Sequence, residues 1–186
     1  MKNEKLDNKK VKAVLLQNNP APKAEIKWEN KLNQNLNWES IWYNIKSLRT
    51  NRKAKQLQWK FIHRVIFTEK KLAQMKQSNG LCKICQSEEE DIIHLFCQCE
   101  HTKVIWENIG EKINDKYNIT LTQENKLFGI NDNKEPQRSI TNSIIFITKW
   151  YIWKARCNLR YSDINPEAET ILNQINKNIE QNTPLI

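Results

Sequence analysis

The feature of the sequence that most constrains the fold is a cluster of cysteine and histidine residues near its middle. Four of the five cysteines and two of the three histidines lie between positions 82 and 101. The cluster reads Cys82-Lys-Ile-Cys85, then eight residues, then His94-Leu-Phe-Cys97-Gln-Cys99, and it ends at His101. A Cys-x-x-Cys turn places two thiolates on one side of a tight loop, and a His-x4-Cys pair on or just after a helix supplies two further ligands. The pattern therefore predicts a tetrahedral metal site.

Two questions about this site stay open at the level of the residues. The fourth ligand is ambiguous, since Cys97, Cys99 and His101 all follow His94 closely, and we favour Cys99. The alternative to a metal site is a set of buried or free cysteines without any metal. If four protein ligands are bound, no coordination position is left for water, and the metal holds structure without catalysing a reaction.

A mainly α-helical fold is indicated by the scarcity of helix breakers, since the chain has 3 Gly and 5 Pro and every proline lies in a predicted connection. Apolar residues recur at spacings of three and four, which predicts helices over residues 28–48, 52–67, 102–117 and 139–161. A short helix capped by Thr68 is predicted over residues 69–77, and a last helix with Asn165 as N-cap and Pro166 in its first turn. Alternating residues at 117–121 are compatible with a short strand.

The helix before the second ligand pair is predicted from Ser87 and the three glutamates that follow it. This arrangement is typical of a capping box, so a helix is expected to begin directly after the first cysteine pair and to carry His94 inward.

The length of 186 residues indicates one domain with loose ends. Residues 1–27 are rich in Lys, Asn and Gln and are predicted to be a disordered or linker segment. Residues 28–161 are predicted to form the helical domain, built around the cysteine–histidine cluster. Residues 162–186 are predicted to form an amphipathic C-terminal helix and a tail.

Several functional classes are excluded on sequence grounds. No apolar run approaches the roughly 18 residues of a membrane span, and the first residues contain no secretory signal, so we expect an intracellular protein of the nucleus or cytoplasm with no membrane partner. The chain has no Gly-rich phosphate loop, no Gly-x-Ser-x-Gly elbow and no carboxylate pair suited to two metal ions. We therefore expect no enzymatic activity.

The distribution of charge indicates a phosphate-bearing partner, RNA or DNA. The formal net charge is +9, and between positions 46 and 76 ten basic residues face a single acid. The alternative is a solvated lysine-rich face without a partner. The predicted nucleic-acid-binding residues are Lys46, Arg49, Arg52, Lys53, Lys55, Lys60, Arg64, Lys70 and Lys71.

Aromatic residues are assigned mainly to the core. Six tryptophans lie on apolar stripes and are interpreted as core residues: Trp38, Trp42, Trp59, Trp106, Trp150 and Trp153. Trp28 is left as the one with few apolar neighbours, and His63 is given no functional role.

The order of these motifs resembles a known family, the zinc-binding domain that follows reverse transcriptase in non-LTR (LINE-type) retrotransposons. The resemblance covers about residues 28–160 and is strongest between Trp59 and Trp106. Residues 127–129 and 152–157 are similar to two further phrases of the family, although Cys157 displaces the asparagine of the second one. The residues that carry the resemblance are Trp28, Trp38-x3-Trp42, Trp59-Lys-Phe-Ile-His-Arg64, Thr68-Glu-Lys-Lys-Leu72, the cysteine–histidine cluster and Trp106-Glu-Asn-Ile109.

The resemblance implies one structural Zn²⁺ held by Cys82, Cys85, His94 and Cys99, with Cys97 as a bystander. It also implies a non-catalytic module that binds template RNA or target DNA in support of a reverse transcriptase in the same or another chain. The alternative function is a zinc-stapled interaction module whose apolar C-terminal helices dock on the rest of a larger polyprotein.

Overall fold

The computed structural model describes residues 22–47, 50–131, 135–164 and 167–182. Across these ranges the regular structure is helical, and the β pairing is an isolated antiparallel bridge between Leu81 and Glu89. The predicted mainly α fold around the cysteine–histidine group is confirmed. The helices are α1 (Lys23–Leu32), α2 (Trp38–Ser47), α3 (Arg52–Ile62), α4 (Glu69–Gln74), a short π-helix (His94–Gln98), α5 (Glu100–Tyr117), α6 (Gln123–Phe128), α7 (Gln137–Ser162) and α8 (Ala168–Asn182).

The described part of the chain divides into two compact units, the first ending at Leu36 and the second beginning at Asn37. In the first unit, α1 begins at Lys23, within the segment predicted to be a lead or linker. The side chain of Glu29 accepts a hydrogen bond from the backbone N–H of Leu36 at 3.2 Å, which holds the segment after α1. Trp28 is fully buried, so it is a core residue, although it was not assigned to the core from its neighbours in the sequence. Residues 1–21 of the predicted disordered lead lie outside the described residues.

Local capping determines where the helices of the second unit begin. Asn51 caps α3 by accepting from the N–H of Lys53 at 2.8 Å. Thr68 caps α4 as predicted, by accepting from the N–H of Lys71. The predicted end of α3 at residue 67 is wrong, since α3 ends at Ile62 and Arg64 takes a positive φ of 54° that no α-helix accommodates.

The strand predicted over residues 117–121 does not form. Tyr117 is the last residue of α5, and Asn118 ends that helix in the left-handed conformation. The following residues lead into Thr122, which caps α6 through a capping box with Asn125. No neighbouring strand is present in the described chain for this segment to pair with, and an isolated strand of five residues has little stability.

The core of the second unit is organised around α7, which contacts α3, α5, α8 and the π-helix. The ring of Phe61 on α3 meets the rings of Phe96 and Phe128 edge-on, with centroid distances of 5.4 and 6.0 Å. Edge-to-face contacts of this kind add to the stabilisation from burial. These three rings therefore join α3, the π-helix and α6 in one apolar layer.

A buried lysine strengthens the same layer. The ammonium of Lys149 on α7 donates to the side-chain oxygen of Gln58 and to the carbonyl of Leu127, each at 2.7 Å. It also lies 3.2 Å from the centre of the Phe61 ring. Burial lowers the pKa of Lys149 well below its ordinary value. Because the ammonium has two hydrogen-bond acceptors, it links α3 and α6 to α7 in an apolar setting.

Gly129, at the end of α6, stands where no other residue fits. It has a positive φ of 92°, and a Cβ there would lie 2.6 Å from the side-chain oxygen of Asn142. That oxygen accepts a hydrogen bond from the backbone of Ile130 at 2.7 Å, so it has little freedom to withdraw. The close approach of α7 to this turn thus requires glycine.

The C-terminal helix α8 packs along α7 and α5, with Ile171 and Ile175 buried. Its predicted N-cap Asn165 and first-turn Pro166 lie outside the described residues. None of the described helices combines the length and the apolar character that a membrane span needs.

Candidate metal centre

The four predicted ligands come together at one point of the second unit. One ligand atom from each of Cys82, Cys85, His94 and Cys99 lies within 4.8 Å of every other. The sulfurs of Cys82 and Cys99 are 4.0 Å apart, and the Cys85 sulfur is 3.5 Å from His94 Nε2. In a tetrahedral zinc site these separations are about 3.8 Å for two sulfurs and about 3.5 Å for sulfur and nitrogen. The donor set and its spacing therefore fit Zn²⁺.

The first two cysteines lie on a tight loop closed by backbone hydrogen bonds. The N–H of Cys82 donates to the carbonyl of Glu88 at 2.8 Å, and the N–H of Glu90 donates to the carbonyl of Gly80 at 2.9 Å. Within the loop, the N–H of Gln86 donates to the carbonyl of Cys82 at 2.9 Å. These bonds hold both thiols on the same side of the loop, as the Cys-x-x-Cys spacing predicts.

The second pair of ligands depends on the π-helix. In an α-helix, residues five positions apart differ by about 140° around the axis, so His94 and Cys99 would face different directions. A π-helix closes its hydrogen bond over five residues, and the N–H of Cys99 donates to the carbonyl of His94 at 2.8 Å. The wider turn places both side chains on the same side.

Side chains of α5 satisfy carbonyls of this unusual turn. The hydroxyl of Thr102 donates to the carbonyl of Leu95 at 3.0 Å, and the indole N–H of Trp106 donates to the carbonyl of Phe96 at 2.7 Å. Thr102 and Trp106 are both about 1% exposed, so these bonds form away from water. Buried carbonyls without partners would destabilise the turn, and α5 removes that cost. Trp106 is a core residue, as predicted.

Cys97 and His101, the other candidates for the fourth ligand, lie outside the group. Cys97 is buried, and burial raises the pKa of its thiol to about 11, partly offset by Lys149 and Lys126. His101 is exposed on the first turn of α5. Cys97 follows His94 by three residues, so in an α-helix the two side chains would lie on the same face. In the π-helix the wider turn directs them to different sides.

A hydrogen bond orients the histidine ring. Glu88 places a carboxylate oxygen 3.1 Å from His94 Nδ1, which leaves Nε2 directed at the cysteine sulfurs. The His94 side chain is 4% exposed and that of Glu88 is 66% exposed, so the carboxylate reaches in from the surface. Carboxylates in this position set the tautomer of zinc-binding histidines. This role is not predicted from the sequence, in which a glutamate six residues before the histidine is the only signal for it.

The four ligand side chains shift one another's pKa values, because they lie close together. A hydrogen bond with Cys99 and burial raise the pKa of Cys82 to about 12. The hydrogen bond with Cys82 also raises the pKa of His94 to about 9, against the effect of burial, and lowers the pKa of Cys99. A divalent cation bound by the group would displace the protons of these side chains, because its ligands are thiolates and a neutral imidazole.

The helix that carries His94 begins later than predicted. Its cap is Asp91, whose carboxylate accepts from the N–H groups of Ile93 and His94, each at 2.8 Å. The capping box predicted from Ser87 is therefore wrong. Glu90, which would have completed that box, is buried and pairs with an arginine of α7, so it cannot turn back towards Ser87.

The predicted nucleic-acid-binding residues differ in their exposure and in their contacts within the chain. Arg49 lies outside the described residues. Lys70 forms an ion pair with Glu89 beside the cysteine loop. Lys55 donates to a backbone carbonyl at 2.9 Å and Lys71 to another at 3.4 Å. Residues with exposed side chains are Lys46, Arg52, Lys53 and Lys60, and those with half-buried side chains are Lys55, Arg64, Lys70 and Lys71.

The assignment of six tryptophans to the core requires correction. Trp59 is 49% exposed, and its ring packs against His63 with a centroid distance of 4.1 Å. The remaining half-buried members of the set are Trp38, Trp42, Trp150 and Trp153. Apolar neighbours in the sequence do not show whether a tryptophan is buried, because α3 and α7 each leave one side uncovered.

A helical unit with a compact Cys3His group has the ligand set of the small domains that a structural metal holds together. Four protein ligands occupy every position of a tetrahedral ion, and the described residues contain no other such group.

Comparison with known protein families gives a match to a part of the chain. Residues 23–106 match the model of a family described as zinc-binding in reverse transcriptase. The resemblance noted from the motifs is confirmed over this range, which includes all four candidate ligands. The similar phrases at residues 127–129 and 152–157 lie beyond the match and stay predictions. No curated protein and no solved structure shows significant similarity to the chain.

Proposed function

We propose that this chain is a non-catalytic module, stapled by one structural Zn²⁺, that binds RNA or DNA in support of reverse transcription. The observation that carries the proposal is the charge of α3. This helix contains Arg52, Lys53, Lys55 and Lys60 and no acidic residue. It contacts α7 and lies in the same compact unit as the metal centre.

Two of these cations lie where a positive charge is unfavourable for the helix itself. Arg52 and Lys53 occupy the first turn, which has no acidic residue. The first turn is the positive end of the helix dipole, and each cation there costs up to about 1 kcal/mol at low salt. Helix stability therefore does not account for the placement, whereas attraction of a phosphate backbone does.

The match of residues 23–106 to a family described as zinc-binding in reverse transcriptase supports the association with that reaction. The metal group supports the non-catalytic part of the proposal, because four protein ligands leave no position for a reacting water. When bound, Zn²⁺ would supply structural cross-linking, with Cys82, Cys85, His94 and Cys99 as its ligands.

The test is fluorescence anisotropy of the zinc-loaded full chain with labelled single-stranded RNA, single-stranded DNA and duplex DNA, at several salt concentrations. We expect binding at low salt that weakens steeply as salt rises. A variant with Lys53, Lys55, Lys60 and Arg64 replaced by Gln is expected to bind much more weakly. Its salt slope should be shallower by about one unit for each phosphate that the variant no longer neutralises.

A matched control removes four charges elsewhere and should bind like the wild type. Exposed lysines for this purpose are Lys103, Lys112, Lys116 and Lys177. Absence of binding to all three polymers at low salt would refute the proposed function and leave the basic face merely solvated. Equal decreases in the affinity of the two variants would show a response to net charge alone.

The alternative function was docking of the apolar C-terminal helices on a larger polyprotein. Ile171 and Ile175 of α8 are buried within the chain. Part of the apolar stripe of α8 is therefore already covered within the chain, which favours the nucleic-acid proposal over this one.

A further inference from the structure

We infer that a groove between α3 and α7 binds single-stranded nucleic acid, with bases stacked on its aromatic side chains and phosphates held by its lysines. The inference rests on the proposed function and assigns it to a particular place. The groove has a volume of about 270 Å³. Its lining includes Lys53, Lys60, Phe67, Trp150, Trp153 and Tyr161.

The wall formed by α3 supplies positive charge. Lys53 and Lys60 are seven residues apart, which is nearly two helical turns, so they lie on the same side and about 10 Å apart along the axis. The ammonium of Lys53 lies 5.9 Å from the centre of the Trp150 ring. Among the described residues, none of those that line the groove is acidic. A phosphate next to an aromatic face would therefore find a cation within reach.

The rest of the lining supplies aromatic rings that the fold covers only in part. Tyr161 is 72% exposed, and Phe67, on the segment between α3 and α4, is 47% exposed. Trp150 and Trp153 are three residues apart on α7, both are half-buried, and both line the groove. Exposed aromatic side chains beside lysines are the two components of a stacking platform for unpaired bases.

The pairing of these components favours a single strand over a duplex. Bases in a duplex stack on one another and do not present their faces, whereas a single strand can place successive bases on protein rings. A binding site that used only charge would need the lysines but not the aromatic wall. The presence of both indicates the chemistry of a flexible strand, which offers flat rings and phosphates together.

The first experiment separates stacking from charge. The double variant Phe67→Ala, Tyr161→Ala removes two exposed rings and no charge. In anisotropy measurements we expect its affinity for single-stranded RNA and DNA to fall about tenfold, with the salt slope unchanged and duplex affinity little altered. The double variant Lys53→Gln, Lys60→Gln is expected to bind more weakly and to show a shallower salt slope.

Matched controls remove the same groups outside the groove. Tyr43→Ala removes a ring that is 49% exposed on α2, and Lys103→Gln with Lys116→Gln removes two exposed charges from α5. All variants are compared at equal zinc content and with unchanged circular dichroism. Both controls should bind single strands like the wild type.

A second experiment locates the bound strand directly. Single-stranded RNA and DNA containing 5-bromouracil are irradiated in complex with the wild-type chain, and cross-linked peptides are identified by mass spectrometry. Cross-links at Phe67, Trp150, Trp153 or Tyr161 are expected. If wild-type protein binds strands while the groove variants bind equally well and cross-links map elsewhere, this inference is wrong and the proposed function stands. If the wild type binds no nucleic acid, the proposed function itself fails.

Discussion

Arg156 and Glu90 are 66 residues apart in sequence and pair in the interior of the second unit. The guanidinium donates to one carboxylate oxygen of Glu90 through Nε at 3.0 Å and through Nη2 at 2.8 Å. Glu69 at the start of α4 joins the cluster, because its backbone N–H donates to Glu90 and its carboxylate accepts from Arg156. Arg160 also donates to Glu69. The end of the cysteine loop is thereby attached to α4 and α7.

Replacing Glu90 by Gln is expected to destabilise the chain by about 3–5 kcal/mol, because it leaves the guanidinium of Arg156 buried with one carboxylate fewer. Both side chains of this pair are at most 1% exposed. Urea unfolding of the zinc-loaded protein measures the effect. The neighbouring Glu89→Gln is the control, since the Glu89 side chain is 56% exposed and its replacement should cost less than about 1 kcal/mol. Similar destabilisation in the two variants would contradict the structural role given to Glu90.

Removal of zinc by a chelator is expected to unfold at least the region from residue 81 to residue 106, because the free energy of metal binding contributes to folding there. Circular dichroism and thermal unfolding before and after chelation measure this. An unchanged melting curve would contradict the expectation.

Substitution of the neighbouring cysteines distinguishes the ligand from the bystander. Cys99→Ala removes a sulfur that lies 4.0 Å from that of Cys82, so the variant should bind zinc far more weakly. Cys97→Ala should retain one zinc per chain, since Cys97 lies outside the ligand group. Metal analysis of the purified variants measures the ratio. Absence of zinc from the Cys97 variant alone would reverse the assignment.

Replacing Glu88 by Ala is expected to weaken zinc binding about 10- to 100-fold, because the imidazole of His94 is then without the carboxylate that orients it. Competition with a chromophoric chelator gives the affinity. Glu89→Ala removes an exposed carboxylate next in sequence and serves as the control. If both variants bind zinc as the wild type does, the contact between Glu88 and His94 has no influence on the metal.

Stability should fall with acid partly through Glu69. Burial raises the pKa of this carboxyl, but hydrogen bonds from Ser78 and Arg160 and the charge of Arg156 outweigh it, so the pKa lies below its ordinary value of 4.5. The folded state therefore binds this proton more weakly than the unfolded state does. The resulting stabilisation is present above the unfolded pKa and is lost as the pH falls through the folded pKa.

The measurement compares urea unfolding of the wild type and Glu69→Gln from about pH 6 to about pH 3.5. The variant should be less stable at the upper end, and the difference between the two proteins should narrow as the pH falls. Acid effects on the zinc site are common to both proteins and cancel in the difference. A difference that stays constant across this range would show that Glu69 does not titrate with folding.

The sequence was sufficient for the ligand group and for most of the helices, because both depend on local spacing. It did not reveal that the turn between His94 and Cys99 is a π-helix, since that turn depends on Thr102 and Trp106 of α5 donating to its carbonyls. Local patterns on their own also favoured Ser87 as a cap. The structure uses Asp91, because Glu90 is taken by Arg156 on a helix that begins much later in the chain.

The exposure of the tryptophans is likewise not predictable from local sequence patterns. Trp59 and Trp153 lie on apolar stripes, yet the stripes do not specify which side of a helix its neighbours cover. Burial is a property of the assembled helices. The stripes therefore do not show which sides of α3 and α7 stay uncovered once the two helices pack together. Residues predicted to be core thus became candidates for contact with a ligand.

Under the proposed function, the cations at the start of α3 couple the binding of a polyanion to folding. In the free chain Arg52 and Lys53 repel the positive end of their own helix dipole, so α3 forms against an electrostatic cost. A polyanion bound at this end cancels that repulsion and adds a favourable interaction that the unfolded chain lacks. Because the polyanion binds the folded chain and not the unfolded one, the melting temperature then rises with polyanion concentration. The ligand neutralises a positive helix end that the helix's own side chains leave uncompensated.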